Sequence, residues 1–184
     1  MNFLDESGAA SNLARTHGRA EQGARCVGSV PQGHWRVITA VAAVRLGGGG
    51  QGGGGGGGLV APFTIEGPVD GDAFVAYVER VLCPTLRPGD VVVMDNLSAH
   101  KRPRVAELIA GAKAAVLYLP PYSPDYNPIE MIWSKVKRLM RTLAARTVEA
   151  LHEAFARAFA AVTPGDVLGC FRHCGYATGE GAPL

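Results

Sequence analysis

The chain has no hydrophobic run long enough to cross a bilayer. Its longest, VITAVAAV near residues 37–44, is interrupted by Thr39 and is far shorter than the ~20 apolar residues of a spanning helix. No charged-then-apolar leader opens the sequence, so neither secretion nor a membrane partner is expected. Four cysteines (Cys26, Cys83, Cys170 and Cys174) show no framework spacing, and reduced thiols in a cytosol are the expectation. Cys170 and Cys174 flank His173, but there is no second ligand pair to complete a zinc set. The run GGGGQGGGGGGG (47–58) lacks the Lys-Ser/Thr and adjoining helix of a phosphate-cradling loop. It reads as a flexible hairpin extension, tolerable because loop-closure cost grows slowly with length. Neither sign of charge dominates: 18 Lys and Arg stand against 16 Asp and Glu, a formal net charge of +2, which does not by itself announce nucleic acid.

What is present suits one globular domain. At 184 residues with 47% hydrophobic content, a sizeable buried core is expected. MNFLDESG reads as a short strand, followed by an irregular excursion over 8–34 rich in Gly, Ser, Arg and Asn. HWRVITAVAAVRL (34–46) and LVAPFTIEG (59–67) read as hairpin strands. DGDAFVAYVERVL (70–82) has helical spacing, with Asp70 or Asp72 as a cap. DVVVMD (90–95) and AAVLYLP (114–120) read as strands buried on both faces, separated by a helix over 101–112. Two more helices are expected over 128–143 and 147–162, the second starting at Thr147, and the last ten residues are expected to fray. A meander followed by alternating strands and helices predicts an α/β fold, a mixed sheet with helices on both faces. Ligands in such sheets collect beyond the carboxyl ends of the central strands, where Asp95 sits.

Charge is clustered locally. Between Asn127 and Arg146 there are five cations (Lys135, Lys137, Arg138, Arg141 and Arg146) against Glu130 alone. Arg15 to Arg36 carries four arginines, His17 and His34 against Glu21. A solvated face is the ordinary reading of either cluster. Asp95 likewise fits a turn or helix cap. Glu130 fits the third helical position of a capping box opened by Asn127 and Pro128. On a helical wheel Ile129, Ile132, Trp133, Val136, Leu139 and Met140 share one apolar arc, with Glu130 on a flank with Ser134, Lys137 and Arg141. No cation stands three or four residues after Glu130 to pair with it. A carboxylate beside a cationic strip suits phosphodiester chemistry, and crowded carboxylates invite a divalent cation.

VVVMDNLSAHK and LPPYSPDYNPIEMIWSKVK, with FLDES and EGPVDGDAF upstream, resemble the catalytic domain of DDE transposases of bacterial insertion sequences, in the mariner-related superfamily. The resemblance runs from Asn2 to about Tyr176, and 34 residues separate Asp95 from Glu130, the separation typical of that group. It implies a ribonuclease-H-like mixed sheet, an antiparallel meander plus parallel strands. Residues 1–176 would form the catalytic domain, with 47–58 a hairpin insertion and 177–184 a frayed tail. It also implies an acidic triad of Asp5, Asp95 and Glu130 holding Mg²⁺ or Mn²⁺, two ions in all, for DNA cleavage and strand transfer at transposon ends and target. The proline ramp before Glu130 would aim that side chain at the two aspartates. Candidate contacts to backbone phosphate are His100, Lys101, Lys137, Arg138 and Arg141. Tyr122 and Tyr126 either stack on an unpaired base or pack over the ramp, and packing is the expectation.

Family members carry an upstream helix-turn-helix region, whereas only four residues precede Asp5. The expectation is an isolated catalytic half, completed by a separate helix-turn-helix polypeptide, dimeric when active, cytoplasmic and nucleoid-associated. The alternatives are a standalone nuclease of the same fold and a truncated, non-catalytic DNA-binding relic.

Overall fold

The computed structural model describes residues 1–47 and 57–176. The centre of the glycine run and the 177–184 tail lie outside the described residues. Five strands form one sheet: β1 (Asn2–Ala10), β2 (Val37–Arg45), β3 (Gly58–Glu66), β4 (Val91–Met94) and β5 (Ala115–Tyr118), in the order β3-β2-β1-β4-β5. The β1–β2 and β2–β3 pairs are antiparallel, while β1–β4 and β4–β5 are parallel. Five α-helices follow or interleave: α1 (Gly71–Tyr77), α2 (Pro103–Gly111), α3 (Pro128–Leu143), α4 (Val148–Ala160) and α5 (Pro164–His173). Among the described residues no helix is long and apolar enough to cross a membrane.

Period-2 alternation along the central strands divides the core into two layers. Phe3, Ala40, Ala42 and Val93 face α3, α4 and α5, where Trp133, Phe155 and Phe171 are fully buried. Leu4, Val41, Ala43, Val92 and Met94 face α1 and α2, against Phe74, Val78 and Ile109. Burying each such large side chain contributes roughly 1.5–3 kcal/mol before entropy is counted. The helices on both faces and the mixed sheet are those expected from the element order.

Several local expectations hold. Asp70 caps α1 by accepting from the backbone N–H of Asp72 and Ala73, and Thr147 caps α4 by accepting from Ala150 N–H. Three need correction. The helix expected to run through residue 82 leaves α-geometry at Val78 and ends in a π-helical turn, Val78–Leu82. Strand β5 is not buried on both faces: it is the sheet edge, and Leu117 is 49% exposed. Helix α5 was not expected. It opens at Thr163, whose hydroxyl accepts from Asp166 N–H while the Asp166 carboxylate accepts from Thr163 N–H. It closes with Gly175 at φ +81 and a Tyr176 N–H bond back to Phe171 O, a Schellman-type ending. Gly175 and Tyr176, placed in the frayed end by sequence, are therefore tied down.

Candidate active site

Sheet register brings two of the three acidic residues together. Phe3 of β1 lies beside Val93 of β4 in a parallel pair, and Asp5 and Asp95 each come two residues later, at the same level. Phe3 and Val93 both face α3, so alternation puts Asp5 on that face and Glu6 on the other. Glu130 stands in the first turn of α3. All three carboxylates line one cleft of about 450 Å³, closed by the ramp residues Leu119 to Pro124 and by Asn127.

The three side chains differ in environment. Asp5 is 8% exposed. Its carboxyl is pushed up to about 7, first by burial and then by the charges of Glu130 and Asp95, while the Glu6 backbone N–H and His100 pull it down. Asp95 is half-exposed, and its Oδ1 accepts from Leu97 N–H at 3.0 Å. Glu130 is exposed.

His100 does not meet solvent and is not a phosphate contact, correcting the expectation from sequence. Its side chain has 0% exposure, with Nε2 3.0 Å from Glu6 Oε1 and Nδ1 2.7 Å from Asp95 Oδ1. The Glu6 contact is a well-formed hydrogen bond. The Asp95 contact is close but poorly aligned for one. The ring packs 4.4 Å from that of Phe74, and the His100 carbonyl accepts from Tyr118 Oη. Burial lowers its basicity, but Glu6 and Asp95 outweigh that and leave its pKa raised. Set between two carboxylates, the ring holds Asp95 in place. Sequence reading missed Glu6; the available signal was its alternation with Asp5 on one strand.

The α3 entry also departs from expectation. Asn127 is the N-cap residue but makes no side-chain cap bond, so no capping box binds Glu130 to its own helix start. The Glu130 N–H donates to Asn127 O at 3.1 Å, and among the described residues its carboxylate has no hydrogen-bond or ion-pair partner, which leaves it to the cleft. Asn127 is 4% exposed, and its Oδ1 has no partner among the described residues. Asn96 Nδ2 donates to Leu119 O and ties the ramp to the segment after Asp95. The expected packing of Tyr122 over the ramp is not seen: its ring is fully exposed and its φ is +55.

The basic candidates separate. Arg138 and Arg141 line a groove of about 640 Å³ with Lys135, Ser134, Thr142 and, from the irregular excursion, Arg15 and His17. Lys135 pairs with Asp166, whose carboxyl is lowered to about 2 chiefly by that contact and the Thr163 hydroxyl. Arg146 anchors the excursion by donating to Ser11 O and Leu13 O, each at 2.8 Å. Lys137 does not line the groove. Lys101 is exposed, its Nζ 6.0 Å from the Tyr118 ring centre.

The donor chemistry fits a hard divalent cation: three carboxylates in one cleft, one of them buried and resisting ionisation. Among the described residues no group of three or more His, Cys, Asp or Glu is placed to hold a metal ion. Three anions without a cation repel one another, which favours a shared cleft over a shared coordination sphere.

A comparison with curated proteins found no match. Among solved structures, the chain is similar to the Mos1 strand transfer complex (16% identity, TM-score 0.64, covering 95% of this chain and 50% of that one). It is also similar to the mariner Mos1 paired end complexes with Mn (14%, 0.66, 95% and 51%) and with Mg (15%, 0.65, 95% and 53%). These likenesses establish the ribonuclease-H-like fold, and the chain spans about half the length of the transposase chains it matches. Residues 1–152 match the DDE superfamily endonuclease family, and the chain belongs to it.

Proposed function

We propose that this chain is a transposase catalytic domain that cuts DNA strands and joins a freed 3′ end to target DNA, dependent on Mg²⁺ or Mn²⁺. The observation that carries this reading is the convergence of Asp5, Asp95 and Glu130 on one cleft, with Asp5 feeling both other charges. Neighbouring folds are those of Mos1 transposase in a strand transfer complex, with a transposon end, and with Mn or Mg.

Asp5, Asp95 and Glu130 would hold the cation, two ions on the family pattern. When bound, it supplies positive charge against the charge developing on the phosphodiester. The chain's own part is to bind and aim. His100 keeps Asp95 fixed from behind, and the ramp sets where α3 begins and thus where Glu130 points. Arg138 and Arg141, with Arg15 and His17 opposite, offer phosphate contacts that give affinity without sequence choice. Lys101, exposed, and Lys137, half-buried, are further phosphate contacts. A separate helix-turn-helix polypeptide, a dimeric active state and a nucleoid-associated cytoplasmic location complete the proposal.

A second reading is a DNA-binding chain without chemistry, which needs only the basic groove lined by Arg15, Arg138 and Arg141. Cleavage of a nicked or blunt transposon-end duplex with Mg²⁺ or Mn²⁺, set beside Asp95→Asn, separates the two. Loss of cleavage with DNA binding retained supports the enzyme. Equal silence of both chains, each binding DNA, supports the second reading. Cleavage without joining of pre-cut ends indicates a standalone nuclease.

A further inference from the structure

We propose that Tyr122 is a stacking platform for an unpaired base at the rim of the acidic cleft, an assignment that rests on the DNA chemistry proposed above. The ring is 103% exposed by relative area, and the backbone beneath it sits at φ +55. A bulky residue in the left-handed region is a genuine outlier that glycine would occupy without strain. Nothing among the described residues repays it. Among the described residues the Tyr122 hydroxyl makes no hydrogen bond and the ring no aromatic contact. Strain held at a cleft rim with no packing return points to function.

Placement selects the ligand. Tyr122 lines the same cleft as Asp5, Asp95 and Glu130. Its segment is tied to the Asp95 side through Asn96 and Leu119, and at its other end leads into α3 and Glu130. Pro120, Pro121 and Pro124 stiffen it on both sides, and Ser123 Oγ donates to Pro121 O at 3.2 Å. A rigid aromatic face held beside a phosphodiester site suits the flat face of a nucleobase. Such stacking tolerates any sequence because every base has a π-face. The base must be unpaired, since a base within a duplex presents no free face.

The test uses the full chain without divalent ion and DNA duplexes carrying a five-nucleotide single-stranded overhang, with each overhang base removed in turn. With the natural chain, one abasic position weakens binding by about five- to 150-fold, the range of aromatic–base stacking. Tyr122→Leu binds the intact probe correspondingly less well and is indifferent to that abasic position, whereas Tyr122→Trp keeps the sensitivity. Tyr122→Gly relieves the strained φ, so its melting temperature stays level or rises while the base sensitivity disappears. A fall in melting temperature would mark a structural ring and overturn the assignment. So would an overhang with no sensitive position, the same sensitivity in Tyr122→Leu, or a Tyr122→Leu chain that loses self-association and keeps its DNA affinity. Because binding is read without metal, absent base sensitivity alongside intact Asp95-dependent cleavage sinks only the stacking. Base sensitivity without any cleavage sinks only the proposed chemistry.

Discussion

Asp95 Oδ1 lies 2.7 Å from Nδ1 of His100, and the same ring reaches Glu6 Oε1 from its other nitrogen at 3.0 Å. The pair spans the sheet: Asp95 opens onto the α3 cleft, while Glu6 and His100 belong to the face packed by α1 and α2. Partners that orient a metal-binding carboxylate from behind typically change metal affinity or activity by about 10- to 100-fold. His100→Ala is therefore expected to raise the Mg²⁺ concentration needed for half-maximal cleavage by about that factor. Glu6→Gln keeps size but removes a charge, and shifts the same curve less. Mg²⁺ titrations superimposing on the natural chain for both variants would show that Asp95 needs no such support.

The buried Asp5 carboxyl makes metal-free stability fall as pH rises. Its pKa in the folded chain is about 7 against an ordinary 3.8, so the native state keeps this proton to higher pH than the unfolded chain. The contribution is fully present below pH ~4 and is lost by about pH 7, an order of 4 kcal/mol in all. Denaturant unfolding from pH 4 to 8 in EDTA should show this decline, and Asp5→Asn should remove it. Added Mg²⁺ at pH 8 should restore stability by binding the native state alone. Parallel stability curves for Asp5→Asn and the natural chain would refute the placement of Asp5.

Glu130 separates capping from chemistry. Its helix begins without a side-chain cap bond, so Glu130→Gln should change stability by less than about 0.5 kcal/mol, as for an ordinary surface exchange. Metal-dependent cleavage should nevertheless be lost. Asn127→Ala, which removes no cap bond and one buried unpaired oxygen, should cost less than the ~1 kcal/mol usual at N-caps. Melting curves and cleavage assays on the two variants check both statements together.

How far the fold could be read depended on how strongly each segment was patterned. Strand β4 and helix α3 carry unbroken apolar or amphipathic signals and lie where expected. Helix α5 was passed over because Gly165, Gly169 and the cysteines weaken its propensity. Its Thr163-Pro164-Gly165-Asp166 start was nevertheless a legible capping signal. The exposure of β5 depends on which strand ends the sheet, a matter of topology that VLY cannot reveal. The acidic trio was legible only through resemblance, since Asp95 and Glu130 each satisfy a local capping rule. His100 was legible as a residue and misread in role. Its burial depends on Glu6, 94 positions away, and no local pattern encodes that pairing.

Tyr176 links the strand that carries Asp5 to the ramp that leads to Glu130. Its ring centre is 4.8 Å from that of Phe3, two residues before Asp5, and its hydroxyl donates to Tyr126 O at 2.7 Å, four residues before Glu130. Phe171 completes the stack at 5.8 Å. Tyr176→Phe keeps the ring and removes the hydrogen bond, so stability should fall by no more than roughly 0.5–1.5 kcal/mol. The ramp, released from its anchor, would hold Glu130 less firmly against the cleft. At saturating Mg²⁺ the cleavage rate should change little, whereas the half-maximal Mg²⁺ concentration should rise several-fold. Tyr176→Ala removes the stack too and should lower both stability and rate. If the Tyr176→Phe chain is as responsive to Mg²⁺ as the natural one, the tether steadies the fold and leaves the aim of Glu130 to the prolines alone.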